Sequence, residues 1–236
     1  MIKKITIALF IICLSQSVLA QGDHLSLGIG PALLYSDNSG IYREFKFKVQ
    51  PAITLSINKQ LNEYIGLRGS VGLQLLNSGQ YYLELPKQMV KWGNKDQAFA
   101  FKGQGYFADV MPVFTTNPNS AGMMMSSLQF YAGAGFGVMY AQRNQEVLKN
   151  GLVLNDLLEE GEIIKSKESD LIPYVPVRTG ISTNLNGDWD FALEFVLLVT
   201  TNSEVDGNNI IDKRITVVDM SGQIQFTVKW YFGPAW

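Results

Sequence analysis

Apolar and polar residues alternate along most of this chain, and the pattern is clearest near the end. In the stretch SGQIQFTVKWYF, the alternate positions Ile224, Phe226, Val228, Trp230 and Phe232 are all apolar. Gln, Thr, Lys and Tyr occupy the positions between them. Successive side chains of a β-strand point to opposite faces, so this stretch predicts a strand with one apolar and one mainly polar face.

Eight stretches of this kind predict eight strands, and no stretch has the pattern of a long amphipathic helix. In the fourth strand the phase of the alternation slips near Gly103 and Gly105, which predicts a β-bulge there. The predicted strands are residues 24–35, 45–58, 64–75, roughly 99–114, 128–140, 173–185, 189–200 and about 216–232.

Three features indicate that the apolar faces contact lipid. The pattern persists for about 10 to 14 residues per strand, whereas strands of soluble sheets average about five or six and about ten tilted residues cross a bilayer. The links after strands three, five and seven are long and polar, and those after strands two, four and six are shorter, as in outer-membrane barrels. Aromatic residues lie near strand ends, where membrane interfaces place them: Tyr35, Phe45, Tyr64, Tyr140, Trp189, Trp230 and Phe232. We therefore predict an all-β fold, an eight-stranded antiparallel up-and-down transmembrane β-barrel.

A secreted soluble barrel or sandwich is the alternative, with the apolar faces turned inward. The polar faces argue against it because they are rich in glycine and carry only isolated charges. Glycine weakens a water-facing strand without packing against anything, but it fits the crowded interior of a narrow barrel. The glycines concerned are Gly28, Gly30, Gly66, Gly72, Gly133, Gly135 and Gly137.

Charged residues on the interior faces are predicted to form an ionic network that plugs the barrel. Charges in a low-dielectric interior need ion pairs or hydrogen bonds, and eight strands enclose a space that side chains fill. A charge-lined conducting path is the alternative. The predicted network comprises Lys46, Lys48, Arg68, Arg178, Asp190, Glu194, Asp219 and Lys229.

Residues 1–20 are predicted to be a cleaved signal peptide, with Lys3 and Lys4 before an apolar run and a small-residue ending at Ala20. Residues 21–236 then form one outer-membrane barrel domain. Without the two lysines, 17 basic residues face 21 acidic ones, a net charge of −4. No basic block suggests nucleic acid, and the lone Cys13 falls within the signal, which excludes disulfides and cysteine-based metal sites from the mature chain.

Catalytic chemistry is poorly supported by the sequence. The single histidine, His24, is predicted at the periplasmic rim of strand one, where a general base for outer-leaflet lipid is misplaced. Catalysis by carboxylates such as Asp96, Asp109 or Asp206 is an alternative, but the sequence does not show which of them would lie close enough to form a catalytic pair. We predict no enzyme activity, no cofactor and no metal.

The acidic stretch LLEEGEIIKSKESD, residues 157–170, is predicted to be a short helix or a disordered excursion in a solvated outer loop. A segment that docks a partner is the sharper hypothesis.

The eight alternating stretches and the aromatic final strand FTVKWYF resemble small outer-membrane β-barrel proteins of the OmpA-transmembrane-domain and porin-like kind. The glycine-rich stretches LSLGIGPALLYSDNSG and FYAGAGFGVMY resemble those of barrels from Bacteroidota. The chain departs from two-domain OmpA proteins because nothing follows its last strand, so a peptidoglycan-binding domain is not expected. One subgroup of similar barrels tethers a periplasmic ring of the type IX secretion machinery to the outer membrane.

The resemblance and the strand pattern together predict a membrane anchor or interaction scaffold in the outer membrane. Its predicted partners are outer-membrane lipid and periplasmic or outer-membrane proteins, with no nucleic acid. A small-solute pore and a lipid-modifying barrel enzyme are the alternatives.

Overall fold

The computed structural model describes residues 23–40, 46–62, 64–79, 81–116, 128–154, 157–185, 188–208 and 218–232. The predicted signal peptide, residues 1–20, lies outside the described residues. One turn of 3-10 helix (Tyr81–Glu84) precedes the helix α1 (Pro86–Gly93). The strands are β1 (His24–Tyr35), β2 (Gln50–Gln60), β3 (Ile65–Asn77), β4 (Ala98–Thr115), β5 (Leu128–Ala134), β6 (Phe136–Leu154), β7 (Leu157–Thr183), β8 (Trp189–Thr200) and β9 (Met220–Tyr231).

The strands β5 and β6 are two parts of one barrel strand, interrupted at Gly135. Both parts keep one register against β4 and one register against β7, so no residue is inserted at the break. Pro112 on β4 and Pro176 on β7 flank the break, and proline has no amide hydrogen to donate to the ladder. The Gly135 amide still donates to the Pro176 carbonyl at 3.1 Å. The predicted fifth strand, 128–140, therefore exists but is longer.

With β5 and β6 counted as one, eight antiparallel strands form a closed ring. Each strand pairs with its neighbours in sequence, and β1 closes the ring by pairing with β9 from His24–Tyr231 to Tyr35–Met220. Closure satisfies the strand edges that an open sheet would leave unpaired. The predicted eight-stranded up-and-down barrel is confirmed. No helix among the described residues is long and apolar enough to cross a membrane.

The apolar faces of the strands point away from the barrel axis, as predicted. Side chains alternate between more buried and more exposed positions along β1, β2, β3, β8 and β9. Phe136, in mid-wall, is 81% exposed. Water could not support so continuous an apolar surface, whereas the hydrocarbon region of a bilayer favours it. The exposed wall residues include Leu27, Ile29, Ile53, Leu55, Ile57, Leu67, Val71, Val110, Phe130, Val138, Val177, Ile181, Leu193, Phe195, Ile224 and Phe226.

Aromatic residues mark both edges of the apolar belt on β4. Phe114 stacks on Tyr64 at the lower edge, with 6.2 Å between ring centroids. Tyr106 lies opposite Tyr140 at the upper edge. Eight residues separate Phe114 from Tyr106, about 27 Å along a strand, and the tilt of a barrel strand makes the height smaller. This is comparable with the apolar band of about 25 Å in transmembrane barrels.

Trp189, Trp230 and Phe232 continue the lower aromatic edge. The Trp189 and Trp230 rings are 6.2 Å apart, and the Trp230 and Phe232 rings are 6.0 Å apart. Tyr35 is half-buried instead, with its ring 6.5 Å from that of Phe47. Phe45 lies outside the described residues.

The bulge predicted near Gly103 and Gly105 is wrong. The β3–β4 pairing runs without a shift from Lys102 to Phe114, and the irregularity lies further out, between Ala98 and Ala100. The sequence pattern appeared to slip because the interior becomes apolar in the outer half of the barrel, so that Phe101 and Phe107 both point inward.

The long polar link predicted after strand five, which comprises residues 141–170, is not a loop. β6 and β7 continue far past the upper aromatic edge as a paired hairpin, from Gly137–Tyr174 to Leu154–Leu157. Backbone pairing with β6 accounts for the acidic segment 157–170, so it is neither a helix nor a disordered excursion. The wall of the barrel is thus much taller on the β4–β6–β7 side.

Candidate functional site

Glu194 lies at the centre of a network inside the barrel. Its carboxylate is fully buried and accepts hydrogen bonds from Arg68 at 2.9 and 3.3 Å and from Arg178 at 2.6 Å. The Tyr131 hydroxyl donates to the same carboxylate at 2.6 Å. We call Arg68, Tyr131, Arg178 and Glu194 the Glu194 network. Because its members come from β3, β5, β7 and β8, the network joins opposite sides of the barrel.

The other predicted interior charges are distributed over three places. Lys229 is buried beside the Glu194 network, with its ammonium 4.1 Å from the centre of the Tyr131 ring. Asp190 is buried near the lower end, where Thr183 and the Leu185 amide each donate to it at 2.9 Å. Asp219 is buried beyond the outer end of β9.

Lys46 and Lys48 are exposed and precede β2, so the prediction that they belong to the interior network is wrong. The alternation seemed to include them because FKFKVQ continues the phase of the following strand. Only the tertiary structure shows that the strand begins at Gln50.

Glutamines extend the interior network next to Glu194. Gln225 donates to Thr54 at 2.8 Å and to Gln223 at 2.6 Å. Gln74 accepts from Gln223 at 2.9 Å and from Ser221 at 2.6 Å. Gln223 and Gln225 lie on the polar face of β9, which the sequence pattern shows. The predicted network left them out because it considered charged residues only.

Interior glycines provide room for aromatic side chains from neighbouring strands. A methyl group added at Gly180 would meet the Tyr131 ring at 2.5 Å, and one at Gly137 would meet the Tyr174 ring at 2.4 Å. The Tyr174 hydroxyl donates to Asp109 at 2.8 Å. These positions explain why the interior face is rich in glycine: small residues allow large, hydrogen-bonded side chains to cross a narrow barrel.

An apolar cluster fills the interior toward the outer end. Its buried members come from six strands and one outer loop, so they lie across the axis like a protein core. The predicted ionic network did not include this apolar cluster. Its members are Leu34, Leu76, Phe101, Phe107, Met139, Ala141, Ile172, Tyr174, Val196, Leu198 and Val205.

A small folded unit, which we call the outer cap, covers the outer end. It comprises residues 36–40, 81–97 and 201–208 with the extended parts of β4, β6 and β7. Trp92 of α1 packs against Tyr82 with ring centroids 4.4 Å apart, and both contact the buried Phe99 and Leu148 cluster. The Tyr82 hydroxyl donates to the Asp37 carbonyl at 2.8 Å, which ties the helical segment to the first outer loop. Burial raises the pKa of Tyr82 to about 12.

Asp206 is fully buried in the outer cap, and Asp219 is fully buried against it at the outer end of β9. Asp206 accepts from the backbone amides of Asn208 at 2.8 Å and Asn38 at 3.3 Å, and Asp219 accepts from the Val205 amide at 2.9 Å. Burial raises the pKa of Asp206 to about 7, and the charge of Asp37 adds to this while Arg143 opposes it. Burial raises the pKa of Asp219 to about 9, with the charges of Asp206 and Asp37 adding to it.

The raised pKa values predict that the outer cap loses stability as the pH rises. The unfolded carboxyls titrate near pH 4, so between that pH and the folded pKa values the native cap retains protons that the unfolded cap has released. Stability should therefore be highest below about pH 4 and fall up to about pH 9. Hydrogen exchange at the Asn38, Val205 and Asn208 amides, corrected for intrinsic rates, should show protection decreasing from pH 5 to pH 9. The change should be much smaller in Asp206→Asn/Asp219→Asn; equal slopes in both proteins would contradict the assignment.

The candidate catalytic residues are not brought together. Asp96 is exposed and forms an ion pair with Lys149, Asp109 binds Tyr174 inside the barrel, and Asp206 lies in the outer cap. His24 is buried at the start of β1 with its ring 5.0 Å from that of Tyr231. Among the described residues no three His, Cys, Asp or Glu side chains are grouped to hold a metal ion.

No protein-family model and no curated protein matches this chain. Among solved structures, Neisserial surface protein A (NspA) is similar with a TM-score of 0.51 at 13% identity, over 89% of this chain and 97% of NspA. Ail of Yersinia pestis, solved with the heparin analogue sucrose octasulfate, has a TM-score of 0.46 at 12% identity, over 89% and 97%. OprG of Pseudomonas aeruginosa has a TM-score of 0.42 at 7% identity, over 91% and 98%.

The likeness to NspA supports the fold, an eight-stranded β-barrel. The location follows from the molecule's own surface. A closed barrel with a lipid-facing apolar belt, aromatic edges and a polar lower interior is the outer-membrane type of transmembrane structure. The predicted outer-membrane location is confirmed.

Proposed function

We propose that this protein is a non-enzymatic, non-conducting outer-membrane barrel that anchors its outer cap as an interaction scaffold. The observation that carries the proposal is the filled interior. The Glu194 network spans the lower half and the apolar cluster fills the outer half, so a solute would have to displace both. What the barrel then offers to the surroundings is the tall β6–β7 hairpin, whose tip carries the exposed Leu157.

Planar-bilayer recording tests the absence of conduction. We expect the purified protein to give no channel current, and Arg178→Leu to remain silent although it lowers barrel stability, because the apolar cluster still fills the axis above it. Met139→Gly is recorded as a second variant. It removes a side chain from the apolar cluster and leaves the Glu194 network unchanged. A large steady current from the unmodified protein would refute the proposal and favour the pore.

The scaffold role is tested by site-specific photo-crosslinking in native membranes. A photoreactive residue at Leu157, 65% exposed at the hairpin tip, should give a defined protein adduct. The matched control is Leu61, 60% exposed in the turn between β2 and β3 at the opposite end. An adduct at Leu61 alone would indicate that the partner binds on the periplasmic side. This is the side on which the predicted secretion-associated tether would act. Absence of adducts at both sites would contradict a scaffold.

The absence of enzyme activity is tested separately. Lipid A profiles of cells with and without the gene should be identical. A changed acyl or phosphate pattern that the Asp109→Asn variant fails to restore would favour the lipid-modifying enzyme instead.

A further inference from the structure

The outward face of the tall wall changes from apolar to polar at one height across three strands. Strand register places Tyr106, Tyr140 and Leu171 side by side at the top of the apolar belt. The next outward-facing positions are Gln104, Gln142 and Ser169, followed by Lys102, Asn144 and Lys167. All three of the last set are exposed, and we call them the basic row.

The basic row lies just beyond the hydrocarbon edge, where long lysine side chains can reach lipid headgroups. Four residues separate Tyr106 from Lys102 along β4, about 13 Å along the strand and less in height because barrel strands tilt. The headgroup region of a leaflet extends for several ångströms beyond the hydrocarbon edge, which the aromatic residues mark. Because the row is on the same face as the belt, it faces the surrounding lipid and not the barrel interior.

Within the described part of the chain, no acidic side chain forms an ion pair with Lys102 or Lys167, the lysines of the basic row. Glu146, one position further out on the same face, is 2.9 Å from Lys165. Two ammonium groups thus flank the Asn144 amide at the membrane surface.

We propose that the basic row binds the phosphate headgroup of an outer-leaflet lipid. Neighbouring strands are about 4.8 Å apart, which puts the Cα atoms of Lys102 and Lys167 about 10 Å apart across β6. Each lysine side chain is long and flexible enough for both ammonium groups to reach one phosphate between them, and the Asn144 amide is available as a neutral donor. A lipid satisfies the site because its acyl chains lie along the belt directly below its headgroup. Lipid binding at this row is independent of the scaffold role.

Native mass spectrometry of the detergent-purified protein with bisphosphorylated lipid A tests the proposal. The unmodified protein should retain the lipid, and affinity should fall about fivefold for each lysine lost in Lys102→Gln and Lys167→Gln. The matched control is Lys87→Gln/Lys91→Gln on α1, which removes two exposed lysines on the same side of the membrane but outside the row. It should bind like the unmodified protein.

Two further arms identify the ligand chemistry. Dephosphorylated lipid A should bind weakly to the unmodified protein. Its affinity should equal that of bisphosphorylated lipid A for the double variant Lys102→Gln/Lys167→Gln. Inorganic phosphate in large excess should displace little lipid; efficient displacement would assign the row to a free anion and overturn the lipid assignment. Equal binding by the double variant and the unmodified protein would overturn the site itself, provided that both migrate as folded barrels on unheated gels.

Discussion

Glu194→Ala is expected to destabilise the barrel by about 3–5 kcal/mol, the cost of leaving a buried charge without its partner. Glu194 is the common acceptor for Arg68, Arg178 and Tyr131, so its removal leaves two buried guanidinium groups facing each other. Urea unfolding in detergent micelles, followed by tryptophan fluorescence, measures the loss. Arg178→Leu should cost less, because Arg68 and Glu194 then remain as a matched pair.

The control for this experiment is Glu160→Ala. Glu160 is exposed on the β6–β7 hairpin, and surface substitutions of this kind usually change stability by less than about 0.5 kcal/mol. If Glu194→Ala and Glu160→Ala unfold at the same urea concentration, the Glu194 network does not stabilise the barrel. Glu194→Gln should fall between the two, since it keeps hydrogen bonding and loses the charge.

Phe136→Arg is expected to cost about 2–4 kcal/mol, the depth-dependent penalty for arginine near the middle of a transmembrane barrel. Phe136 is in mid-belt and 81% exposed, so in water the same substitution would be harmless or favourable. The sign of the effect therefore distinguishes lipid from water on the apolar face. Folding into phospholipid vesicles, titrated with urea, gives the measurement.

Gln142→Arg is the matched control for lipid exposure. Gln142 faces the same way on the same strand but lies above Tyr140, outside the apolar belt. The penalty for arginine falls to about 0–1 kcal/mol near the interface. Similar costs at both positions would contradict the placement of the belt.

The interior charges show how far sequence reasoning extends. The phase of the alternation correctly directed Arg68, Arg178 and Glu194 to one face, because a strand has a strict period of two. It did not reveal that Tyr131 completes the network, because the neighbouring strand that brings Tyr131 to Glu194 is set by barrel closure. Nor did it show that Asp190 and Asp219 lie at opposite ends of the barrel. The alternation indicates which face of a strand a residue is on, but not its height along the barrel axis.

The outer cap shows where the sequence reasoning was wrong. Residues 141–170 looked like a polar loop because their strands face water on one side and hold scattered charges. Two signals were available in the sequence. Apolar and polar residues alternate on both sides of residues 155–156, as in the two arms of a hairpin, and Pro86, Met89 and Trp92 have helical spacing before β4. The many charged residues of this segment led to the prediction of a loop. A hairpin outside the membrane can nevertheless carry charges on its exposed face.

The sequence by itself determined the barrel: strand number, which residues face lipid, and the glycine-rich interior, because each follows from a period of two that one chain segment can display. The tertiary structure decided which side chains meet across the axis, where the interior changes from polar to apolar, and that one side of the wall rises past the membrane. Those features depend on register, closure and height. Such quantities arise only when segments distant in the chain are placed side by side.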